Sequence, residues 1–114
     1  MLAEAAAPTD VRAERVSSNS AEVSWRAPPY GTVFGYRIYY TARLDLPISQ
    51  WEYQEIIGQD DRHTISSLDT LNEYAFRVQT KLDVNRLGNI YEMAVLRPPN
   101  GGEQLTQALR FVVI

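Results

Sequence analysis

His63 is the only histidine in a chain of 114 residues, and cysteine is absent. Thiolate nucleophiles, disulfides and thiolate zinc sites are therefore excluded. Triad or imidazole–metal chemistry would have to pass through one ring. Asp60 and Asp61 precede it and Ser66 and Ser67 follow. A Ser–His–Asp relay needs three groups converging in a cleft, and alternation along a strand carries at least one of these serines away from His63. One imidazole with two carboxylates is at most a partial metal site, and no Asp-x-Asp-x-Asp-Gly loop occurs. Gly31 and Gly35 lack the spacing and the following helix of a phosphate-cradling loop. The expectation is no enzyme, no cofactor and no metal, with His63 a surface strand histidine beside two solvated acids.

The elements that hold these residues are short and extended. Ala21, Val23 and Trp25 alternate with Glu22, Ser24 and Arg26, the period of a half-buried strand. Val11, Ala13 and Val16 are expected to share one face of a preceding strand. Tyr36, Ile38 and Tyr40 alternate with Arg37, Tyr39 and Thr41, and Tyr74, Phe76 and Val78 alternate with Ala75, Arg77 and Gln79. Strand-like runs also cover 51–57, 63–68 and 90–96. Turn signals such as Ser17-Ser18-Asn19-Ser20 and Pro28-Pro29-Tyr30-Gly31 separate them. Seven short strands at this spacing imply an all-β sandwich or barrel.

Length and composition agree with one soluble domain. Hydrophobic residues make up 45% and no apolar run exceeds four, too short for a membrane span. Eleven basic against fourteen acidic residues give a net charge of −3, which supplies no attraction to nucleic acid or an anionic membrane.

The chain resembles a fibronectin type III domain over 8–98. Carrying the resemblance are a proline-led first strand from Pro8, Trp25 followed by Pro28-Pro29, and a Gly-Tyr-x-Ile-x-Tyr strand (Gly35, Tyr36, Ile38, Tyr40). Leu68 then stands six residues before Tyr74, with Phe76 and Val78 alternating after it. This spacing is similar to the family's tyrosine corner, in which a buried Tyr hydroxyl bonds back to the chain. Leu71 stands near where the family commonly has proline.

The resemblance implies an immunoglobulin-like antiparallel β-sandwich of seven strands. Strands A, B and E form one sheet and C, C′, F and G the other, around Trp25, Tyr36, Ile38, Leu68, Tyr74, Phe76 and Val78. It also implies two surfaces for a protein partner. The first is the outer C–F–G face with Arg37, Tyr39, Arg77 and Lys81, where acids such as Glu92 supply cross-strand pairing. The second is the loop end with Tyr30, Asp83 and Arg86. The sheet face is preferred because its rigid Arg and Tyr groups lose little entropy on binding. Reversing the charges of Arg37 and Arg77 together is expected to weaken binding to a partner at least about tenfold without lowering the melting temperature much. Leu82-Asp83-Val84 spells a tripeptide recognised by some integrins, but common tripeptides arise by chance, and Leu82 and Val84 are read as strand-end packing.

Residues 1–7 are expected to be a flexible leader and 99–114 a tail or linker, forming an added strand or a short helix. In function, the resemblance implies a non-catalytic interaction or spacer module of a multi-domain extracellular adhesion or receptor protein, contacting protein partners and neighbouring domains. The alternatives are a cytoplasmic scaffold module and an accessory module of a secreted bacterial carbohydrate-active enzyme.

Overall fold

The computed structural model describes residues 7–90, 92–98 and the backbone of 111–113. The expected leader, apart from Ala7, and most of the expected tail lie outside the described residues. Strands β1 (Thr9–Ser17), β2 (Ser20–Arg26) and β5 (Arg62–Ile65) form one antiparallel sheet, in the order β1-β2-β5. The second sheet contains β3 (Gly35–Thr41), β4 (Glu52–Ile57), β6 (Tyr74–Asp83), β7 (Arg86–Leu87), β8 (Met93–Leu96) and β9 (Phe111–Val113). Its order is β4-β3-β6-β8-β9, and β7 pairs with β6. This is the division of strands that the resemblance implies. The described residues hold nine strand segments rather than seven. The excess comes from the two-residue return β7 and from β9, which pairs with β8 through Met93↔Val113, Ala94↔Val112 and Val95↔Phe111.

Alternation drives the packing. Val11, Ala13, Val23, Trp25 and Ile65 from one sheet meet Tyr36, Ile38, Phe76, Val78, Ala94 and Leu96 from the other in a single core. Val16 does not join them and is 55% exposed. Arg15 takes the inward position instead, its guanidinium donating to the carbonyls of Ser18 and Arg97. Alternation from Val11 and Ala13 carries Arg15 inward and Val16 outward. His63 also departs from expectation. Opposite Val23 on an edge strand, it bonds through Nε2 to Gln54 Oε1 on β4 at 2.8 Å and links the two sheets where the sandwich is open.

At the tyrosine corner the Asp69 N–H donates to the Tyr74 hydroxyl at 2.8 Å, and Leu68 is buried beneath. The bond lies near the surface and Tyr74 is only half-buried, contrary to the fully buried hydroxyl expected. Water can therefore replace it in part. Tyr74→Phe is expected to lower stability by about 0.5–1.5 kcal/mol, the net value of an ordinary hydrogen bond. A urea titration monitored by Trp fluorescence checks this; an unchanged midpoint would remove the corner from the fold's supports.

Candidate functional site

The outer face of the second sheet is a set of rows fixed by register. Tyr53, Tyr39 and Arg77 lie opposite one another on β4, β3 and β6; so do Glu55, Arg37 and Gln79, and then Ile57, Gly35 and Lys81. Arg37 and Lys81 converge on one carboxylate. Arg37 Nη2 is 2.6 Å from Glu55 Oε2, and Lys81 Nζ donates to Glu55 Oε1 at 2.8 Å. The Arg37 guanidinium lies 4.0 Å from the Tyr53 ring centroid, within cation–π range. Its Nη1 donates to the Tyr39 hydroxyl at 3.3 Å, and that hydroxyl donates to Gln79 Oε1 at 2.7 Å. Gln79 Nε2 closes the chain on the Gly88 carbonyl at 2.8 Å.

This network changes the reading of the sequence-derived set. Tyr39 and Lys81 are buried, and Arg37 is half-buried and bound to Glu55. Tyr39 is covered because the connection between β3 and β4 folds back on the sheet. Trp51 packs with Tyr39 and Ala75, flanked by Leu46, Ile48, Ile90 and Met93, and Trp51 Nε1 donates to the Leu46 carbonyl at 3.0 Å. Glu92 does not pair on this face; its Oε1 accepts from the Val11 N–H. Sequence reasoning missed Tyr53, Glu55 and Gln79. Period two along β4 puts Tyr53 and Glu55 on one face, but only the register of β4 brings them to Arg37. Tyr53, 49% exposed, is the large aromatic this face offers to solvent.

The Glu55 carboxyl is held below the usual carboxylate range, chiefly by the hydrogen bond from Lys81, with burial opposing and Arg37 adding to the lowering. A depressed folded-state value means the stabilisation is complete above the ordinary glutamate range and lost as pH falls through the folded value. Glu55→Gln is therefore expected to cost about 1 kcal/mol at pH 7 and less at an acid pH below the ordinary glutamate range, where the wild-type stabilisation is being lost. Urea midpoints of both proteins at the two pH values test this; a pH-independent gap contradicts it.

The loop end is built separately. Phe34 N–H donates to the Lys81 carbonyl, Gly58 N–H to the Phe34 carbonyl and Gln59 Nε2 to the Val33 carbonyl, which gathers the β2–β3, β4–β5 and β6–β7 connections at one end. Gly58 turns the chain there with φ of 114°, a conformation costly for side chains with a Cβ. Tyr30 is exposed, and Asp83 and Arg86 form a loose 3.8 Å pair. Val84 is 65% exposed, so it does not pack at the strand end as expected.

The fibronectin type III family profile matches residues 6–89. This chain belongs to the fibronectin type III family. Among curated proteins, this fibronectin type III domain is 43% identical over 75 residues to receptor-type tyrosine-protein phosphatase F of Danio rerio. That match covers 62% of the chain and 4% of the relative. Protogenin of Homo sapiens is 30% identical over 103 residues, covering 82% of the chain and 9% of the relative. The chain thus spans under a tenth of the length of either relative. The crystal structure of chicken CNTN1 FN1-FN3 domains superposes with a TM-score of 0.71 at 22% identity, covering 82% of this chain and 32% of that one, a likeness of fold. The domain is one unit of the kind that multi-domain receptors contain. Among its described residues no helix is long and apolar enough to cross a membrane.

Proposed function

We propose that this fibronectin type III domain is a non-catalytic protein-binding module in the extracellular part of a multi-domain receptor or adhesion protein, and that it binds through the outer face of its second sheet. One observation carries the reading. Arg37, Tyr39, Glu55, Gln79 and Lys81 are fixed to one another by hydrogen bonds and ion pairs, leaving the exposed Tyr53 and the guanidinium of Arg77 on a pre-ordered platform. A platform ordered before contact loses little entropy on binding, and Tyr and Arg are the side chains that anchor interfaces most often. The loop end offers Tyr30, Asp83 and Arg86 without such a network. Receptor-type relatives support the cell-surface setting over the cytoplasmic and bacterial alternatives.

The structure also changes which substitution tests the face. Reversal at Arg37 would put a second carboxylate opposite Glu55 across the strand pair, so lost stability would be mixed with lost binding. Tyr53→Ala is the cleaner choice. The chain, multimerised on streptavidin, is to be screened against a panel of purified cell-surface ectodomains. A partner whose binding falls at least about tenfold with Tyr53→Ala but survives Asp83→Ala/Arg86→Ala is expected. Dependence on the loop pair alone would overturn the choice of face.

A further inference from the structure

We propose that Arg77 is the receiving group for a carboxylate on the protein partner, an inference that rests on the outer face being the binding face. Four described cations have side chains withdrawn at least partly from solvent: Arg15, Arg37, Arg77 and Lys81. Arg15 also has a buried Nε without a partner, but its Nη1 and Nη2 donate to two backbone carbonyls, and Arg37 and Lys81 divide Glu55. Arg77 has no acceptor among the described residues. Its Nε is buried without a hydrogen-bond partner, and no carboxylate of the described residues pairs with its guanidinium.

Its described neighbours cannot supply one. Ala75, two residues before it on β6, has no polar side-chain atom. Gln79, two residues after, already uses both ends of its amide, on Tyr39 and Gly88. The Tyr39 hydroxyl, directly across on β3, donates to Gln79 and accepts from Arg37. One step past the Phe76↔Ala94 pair, β8 presents Met93, whose thioether is a weak acceptor. A buried Nε–H left without an acceptor is unfavourable, and a planar carboxylate matches the fork that it forms with the neighbouring Nη. Charge favours the same occupant. The central rows hold Arg37, Arg77 and Lys81 against Glu55 alone, two positive charges in excess on a chain of net charge −3. An acidic side chain in a partner's contact segment would complete the row, with Tyr53 beside it as the apolar anchor.

The test uses the whole chain and a capped triglutamate peptide as probe, with the capped triglutamine peptide and sodium sulfate at matched ionic strength as controls. Arginine Nε–H signals and backbone amides are followed by NMR. Triglutamate is expected to shift the Arg77 Nε–H and the Tyr39 and Gln79 amides saturably, and Arg77→Gln is expected to weaken that response at least about tenfold, the loss of one charge-assisted pair. Arg77 gives up no internal partner, so the variant is expected to keep a dispersed spectrum. No saturable shift at Arg77, a shift that survives Arg77→Gln, or an equal shift with sulfate would overturn the inference. A partner from the ectodomain panel that needs Tyr53 but ignores Arg77→Gln would overturn it too, while leaving the choice of face intact. A partner held by the loops alone would instead remove the binding-face reading, whatever triglutamate does.

Discussion

Trp25→Ala is expected to lower stability by about 3–5 kcal/mol, the cost of truncating a large buried aromatic, against a total of about 5–15 kcal/mol for a domain of this size. Trp25 is 4% exposed and sits between the sheets, its ring centroid 5.0 Å from that of Tyr36. Its neighbours belong to strands already held by hydrogen bonds, so the cavity can collapse only in part. The indole ring fills the space between the sheets, so the cost is chiefly one of lost packing. Trp25→Phe is accordingly expected to recover more than half of the loss. Urea unfolding followed by circular dichroism measures both variants. A melting transition for Trp25→Ala within a few degrees of wild type would show that Trp25 does not organise the core.

Gly35→Ala is expected to destabilise by about 3 kcal/mol, the upper part of the usual range for overpacking. Gly35 lies opposite both Ile57 and Lys81, and a Cβ there would collide with the Ile56 carbonyl and press on the Ile57 Cα. Both are backbone atoms of β4, so no rotamer change relieves the contact. The end of β4 would have to leave β3, and the Gly58 N–H bond to the Phe34 carbonyl would be strained with it. Because β4 carries Tyr53 and Glu55, the substitution is expected to speed amide exchange across Glu52–Ile57 as well as lower the urea midpoint. Normal protection of β4 in a folded Gly35→Ala protein would contradict this role.

The sandwich was legible because most of its strands announce themselves by alternation; the short β7 and β9 do not. Trp25, Tyr36, Ile38, Phe76 and Val78 were placed in the core from spacing and family pattern, and all five are there. Gly35 belonged to that pattern without a reason; the approach of the β4 backbone supplies one. The candidate site was legible only in outline. Arg37, Tyr39, Arg77 and Lys81 do share a face, but which of them is available to a partner depends on neighbours from β4 and from the β3–β4 connection. Glu55 becomes the shared carboxylate only through the Arg37↔Glu55 register, and Tyr39 is covered only because Trp51 folds back over the sheet. Neither long-range pairing leaves a mark in the local pattern. Val16 failed for a simpler reason: it stands three residues after Ala13, and alternation from Val11 and Ala13 puts it on the opposite face.

Cross-saturation NMR on a complex of the deuterated chain with a partner from the ectodomain panel tests the binding face most directly. Saturation of the partner is expected to attenuate the amides of Arg37, Tyr39, Tyr53, Glu55, Arg77 and Gln79, leaving Tyr30, Asp83 and Arg86 at full intensity. Attenuation confined to Tyr30, residues 58–62 and residues 83–89, with the sheet face untouched, would contradict it.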